Sequence, residues 1–143
     1  MKKNCVGALS LLLMTFGISC GPSQKEKEET LRSEVMAIHD EVMPRTEELF
    51  RLRKRLQGMV DSLLVHNMTD TLLRYKAQQL IMRLREADDS MMHWMHNYNG
   101  GAGLYEHTEV MQYLQAEKEK ILGVRKAITE AIDSAHAFLE KRP

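Results

Sequence analysis

Apolar side chains in this chain return at alternating spacings of four and three, and that regularity decides most of what it can fold into. Leu31, Val35, Ile38, Val42, Leu49, Leu52, Leu56, Met59 and Leu63 make a first stripe, interrupted once by Arg45. Leu73, Ala77, Leu80, Leu84, Ala87, Met91, Trp94 and Tyr98 make a second. Val110, Leu114, Ile121, Val124, Ile128, Ala131, Ala135 and Phe138 make a third, interrupted by Glu117. A mean period of about 3.5 residues is the repeat of long helices that supercoil to the left, and it leaves no segment with the two-residue alternation of a half-buried strand.

The breaks between stripes are short. His66-Asn67-Met68, with Thr69 or Asp70 as N-cap, joins the first two helices and makes them antiparallel neighbours. Asn99-Gly100-Gly101-Ala102-Gly103 ends the second helix, and Thr108 is the expected cap of the third. Pro44 falls inside the first stripe, where it removes a backbone donor and crowds the carbonyl of Asp40. A kink, or a split with Pro44 in a new first turn, is expected there. The fold class that follows is all-α, an up-down-up three-helix bundle with coiled-coil-like packing over residues 30–143. Each helix would hold roughly 30 residues and run about 45 Å.

Ahead of the stripes stands a different kind of segment. Lys2 and Lys3 precede an apolar run from Cys5 to Ile18, followed by Ser19-Cys20-Gly21. The order of charge, apolar run and small residues is that of an export signal, and the run is too short to span a bilayer. Its end resembles the lipobox of bacterial lipoproteins, departing from it at Gly17, where Leu, Val or Ile is usual. The resemblance implies cleavage after residue 19 and a diacylated Cys20 as the first mature residue. Gly21 is not the aspartate that holds enterobacterial lipoproteins in the inner membrane, so a lipid-anchored position in the outer membrane is expected, periplasmic or surface-exposed. The polar stretch after Cys20, GPSQKEKEE, reads as a flexible tether over residues 20–29. Its charge also resembles the acidic segment that sends lipoproteins of Bacteroidota to the cell surface.

Removal of residues 1–19 leaves 124 residues, enough for one domain with one modest core. It also leaves 18 Lys and Arg against 20 Asp and Glu, with the signs interspersed. The densest basic patch, Arg51, Arg53, Lys54 and Arg55, is offset by Glu47 and Glu48, so no nucleic-acid footprint appears. Cys5 leaves with the signal and Cys20 is taken by lipid, which excludes disulfides, a thiolate zinc site and a cysteine nucleophile.

One constellation stands apart. Counting from Asn67 as the turn, His39 is level with Met95, and Met43 is level with Met91. Met36, Met92, Met111, His93, His96 and His107 gather in the same membrane-proximal half. At 100° per residue His39 and Met95 flank the main seam, Met36, Met43 and Met92 lie further round, and His93 and His96 face outward. Three readings compete: methionine as filler of an irregular bundle end, an exposed apolar surface for a partner helix or a second copy, and a soft-ligand site for Cu(I). A copper site would be built from His39, Met43, Met91 and Met95, with Trp94 over the cation.

Catalysis has little support. No GxSxG, HExxH or phosphate-cradling glycine loop is present, and the Glu-x-x-His pairs of a di-iron bundle are missing. Asp88-Asp89 and His39-Asp40-Glu41 read as solvated faces.

The segments Ile38-His39-Asp40-Glu41-Val42-Met43-Pro44 and Met91-Met92-His93-Trp94-Met95-His96-Asn97-Tyr98 resemble a group of small lipoproteins of Bacteroidota, some labelled viral A-type inclusion protein. The resemblance covers most of the mature chain and implies an envelope lipoprotein with a helical domain, and it carries no activity. The expected function is therefore a non-enzymatic interaction or scaffolding module, held to the membrane by lipid and free of cofactors, with Cu(I) binding as the alternative.

Overall fold

A computed structural model describes residues 21–65 and 70–141. The export signal, Cys20, the link at residues 66–68 and Thr69 lie outside the described residues. Four helices follow in order, α1 (Gln24–Val42), α2 (Thr46–Val65), α3 (Thr71–Asn97) and α4 (His107–Glu140), and no strand occurs among the described residues. α1 and α2 both run along α4, so together they act as the first of three rods and the architecture is the all-α up-down-up bundle.

Pro44 splits the first rod. Met43–Arg45 form a single 3₁₀ turn with Pro44 in its first turn, where the missing N–H and the fixed φ do least harm. α1 ends with the Met43 N–H donating to the His39 carbonyl, and α2 starts at Thr46, whose hydroxyl donates to the Met43 carbonyl at 2.8 Å. Arg45, the polar interruption of the stripe, reaches sideways and donates to the Thr129 hydroxyl of α4 at 2.7 Å.

The expected tether is a correction. Helix α1 begins at Gln24, and only Gly21, Pro22 and Ser23 precede it among the described residues. The cause is a capping box. The Glu26 N–H donates to the Ser23 hydroxyl, and the Ser23 N–H donates to the Glu26 carboxylate at 2.6 Å, so the pattern S-x-x-E satisfies two orphan donors at once. The Ser23 backbone N–H, and after it the Ser23 hydroxyl, hold the Glu26 carboxyl below its usual pKa. Two smaller expectations also resolve. Asp70 caps α3 by accepting from the Leu73 N–H at 2.8 Å. Thr108 does not cap α4, because the chain turns helical one residue earlier, after an extended Glu106.

The first rod and α4 run parallel in constant register. Lys118 pairs with Glu34, Arg125 with Glu41, and Arg45 with Thr129, each pair 84 residues apart. That separation is a whole number of heptads, so each tie joins equivalent positions of the two helices. Exposed pairs of this kind stabilise little and mainly specify register.

The core lies between the rods. Leu49, Leu56, Leu84, Met91, Ile121 and Ile128 are fully buried in one continuous cluster. A second, smaller cluster of Leu31, Val110 and Leu114 fills the end where α1 and α4 continue beyond the last residue of α3. The glycine loop closes that end. Gly101, with φ of 85°, is buried, and a Cβ there would meet Tyr113 and Val110 at 3.6 and 3.7 Å. Those are ordinary contact distances, so it is the left-handed φ that favours glycine there.

Candidate functional site

The sequence-singled residues fall where α1, α3 and the glycine loop approach one another. At their centre is a ladder of rings. His39 of α1 stacks on Trp94 of α3 with centroids 5.7 Å apart, Trp94 on Tyr98 at 4.8 Å, and Tyr98 on Tyr113 of α4 at 6.4 Å. Trp94 is buried and Tyr98 half-buried. His39 is held from the other side, its Nδ1 lying 2.9 Å from the Asp40 carboxylate. Trp94 follows from the seven-residue spacing after Ala87, and Tyr98 from the next step of four.

Polar groups gather at the far end of this ladder. Arg32 Nε donates to the Gly100 carbonyl at 3.1 Å, and the Tyr113 hydroxyl accepts from the Asn99 N–H at 3.0 Å. Glu117, the polar interruption of the third stripe, is only 4% exposed and accepts from the Lys120 ammonium at 2.7 Å. Sequence reasoning gave Tyr113, Arg32 and Glu117 no role. The available signal was a carboxylate at a seam position with a lysine three residues on.

Burial pushes the Tyr98 hydroxyl above its ordinary 10.0, partly opposed by the Arg32 guanidinium, and the hydrogen bond to Glu117 pushes the Lys120 ammonium above 10.5. Both groups hold their protons more tightly folded than unfolded. The stability each contributes is complete below those ordinary values and is lost as pH rises through the folded ones. Thermal melts followed by circular dichroism between about pH 8 and pH 11 should therefore show a falling Tm at the alkaline end. Tyr98→Phe should decline less steeply, and an equal decline in both proteins would separate Tyr98 from the effect.

The four residues that sequence spacing nominated for copper are distributed unevenly. Met91 is fully buried in the main core, Met43 is half-buried against that core, and His39 is half-buried on Trp94. Met95 is 38% exposed. Met36 packs on the core, Met92 is 54% exposed, and His93 and His96 face solvent. Met111 packs on the smaller cluster, and His107 Nδ1 lies 2.6 Å from the Glu28 carboxylate. Among the described residues no three His, Cys, Asp or Glu side chains gather as a metal-holding group.

A groove runs between α2 and α3, and its lining includes Phe50, Arg53, Gly58, Ile81, Asp88 and Asp89. Phe50 is 56% exposed, with the Arg53 guanidinium 5.7 Å from its ring centre, and Arg53 in turn lies 3.4 Å from Asp88. Asp88, Met92 and Met95 follow at steps of four and three, so they lie along one face of α3. A scan against protein-family models matches none of them, and comparisons with curated proteins and with solved structures likewise return no match.

Proposed function

We propose that the chain is a lipid-anchored, non-enzymatic interaction module of the bacterial envelope, whose contact surface is the face of Phe50, Met92 and Met95. The observation that carries this is the exposure of three large apolar side chains beside a charged groove. Flexible methionine beside an aromatic ring adapts to varied partner shapes, and contiguous exposed apolar patches mark docking faces. The candidate copper ligands are divided between core, flank and surface, and that division favours a partner over Cu(I). A membrane address rests on Cys20 and its preceding signal, since no described helix is long and apolar enough to cross a bilayer.

A photo-crosslinking residue at position 92 tests the reading in the intact envelope. A discrete adduct is expected there, with none from the same group at Lys126, an exposed position on α4. An adduct of twice the monomer mass would identify a second copy as the partner. No adduct at 92, or equal adducts at both positions, would remove the reading.

A further inference from the structure

The end of the bundle that carries the glycine loop is held close to residue 20 by a rigid start. Ser23 caps α1, so three residues of chain separate Cys20 from the first fixed helical turn. Fully extended, three residues span about 10 Å. Pro22 stiffens even that short link by fixing its own φ and restricting Gly21. The same end of the molecule is shared by the loop. His107 Nδ1 lies 2.6 Å from the Glu28 carboxylate, and Arg32 donates to Gly100, so residues 98–106 lie beside the first turns of α1. Glu28 is four residues into α1 from Gln24, a rise of about 6 Å.

Two large side chains at this end are exposed. Tyr105 is 93% exposed, and Leu104 beside it is 37% exposed. Everything nearby is spent on closing the bundle: Gly101 packs on Val110 and Tyr113, and Asn99 is bound to the Tyr113 hydroxyl. A tyrosine ring with an apolar body and a polar tip is the side chain that settles at the level of lipid headgroups. The headgroup layer on each side of a bilayer is roughly 5 to 7 Å thick, comparable with the reach of the link.

We infer that Leu104 and Tyr105 form a membrane-interface contact that fixes the bundle's orientation, with the loop end against the bilayer and the opposite end of the bundle, where α3 begins, pointing away. The inference rests on lipidation of Cys20. The occupant is a bilayer surface rather than a protein because the anchor delivers this end to the membrane. Charge does not drive the contact. Lys25, Lys27 and Arg32 are outnumbered at this end by Glu26, Glu28, Glu29, Glu106 and Glu109, so zwitterionic lipid suffices and anionic lipid gains nothing.

The test uses the mature lipidated protein in phosphatidylcholine vesicles. Acylation consumes the Cys20 sulfur, so Tyr105→Cys supplies the one free thiol for a fluorescent label. Leu72→Cys, exposed at the opposite end on α3, is the control. Flotation with the vesicles reads the anchor, and quenching by nitroxide lipids labelled at the headgroup or deep in the acyl chain reads the orientation. The label at 105 should lose most of its emission to the headgroup nitroxide and little to the deep one, while the label at 72 loses none to either. Equal quenching at both positions, or none at 105 in protein that floats, overturns the orientation and leaves the anchor intact. Protein that does not float overturns the anchor itself and the inference with it.

Discussion

Trp94→Ala will lower the unfolding free energy by about 3 to 5 kcal/mol, a large part of the total stability of a domain this size. Trp94 is 5% exposed and belongs to the main core cluster. Its ring is also the middle rung between His39 and Tyr98, so its removal leaves a cavity lined by α1 and α3 that the helices cannot close without moving. Trp94→Phe should cost markedly less. It keeps most of the ring contacts and removes an indole N–H that has no hydrogen-bond partner among the described residues. Urea unfolding followed at the helical circular dichroism minimum measures both. A loss under about 1 kcal/mol for the alanine variant would mean that Trp94 is not part of a close-packed core.

Cys20→Ser, exported behind a signal whose cleavage needs no cysteine, will move the protein from the membrane pellet to the soluble periplasmic fraction. Each buried methylene of an acyl chain contributes about 0.8 kcal/mol, one chain gives only reversible binding, and a diacylated, N-acylated cysteine far exceeds that. Among the described residues no helix is long and apolar enough to cross a bilayer. Incorporation of labelled palmitate should vanish in the same variant. Unchanged fractionation of Cys20→Ser would defeat the lipobox reading, and with it the membrane address.

Periodicity was a sufficient guide to the fold because burial of an apolar stripe is a local requirement that each helix meets in the same way. Leu49, Leu56, Leu84, Leu114, Ile121 and Ile128 are buried as their spacing demands. Toward the α2–α3 end the strict 3.5 repeat slips. Val60 rather than Met59 is buried in α2, and Leu139 rather than Phe138 in α4. Both shifts are one residue toward the C-terminus, the sense in which a straight helix of 3.6 residues per turn drifts from a seven-residue repeat.

The site was legible in its residues but not in their exposure. Counting from Asn67 set His39 level with Met95, and in the structure His39 stacks on Trp94, the residue next to Met95. Counting cannot say which neighbour stands opposite a flank. α1 packs chiefly on α4, whereas α3 is held by α2 and α4, so Met91 turns inward to the core and Met95, one turn on, meets solvent. The tether was misread because a polar, charged run was weighed by composition, while a capping box acts through two hydrogen bonds at a fixed spacing.

By itself, then, the order of residues determined three helical rods, the position of both turns and the break at Pro44, all set by local spacing and local chemistry. Only the tertiary structure decided that Glu117 is buried and that Leu104 and Tyr105 stay exposed where the glycine loop closes the end. Those outcomes depend on which surfaces meet. A helix carries its own pattern in its sequence, but what covers each face is set by the lengths and registers of its neighbours.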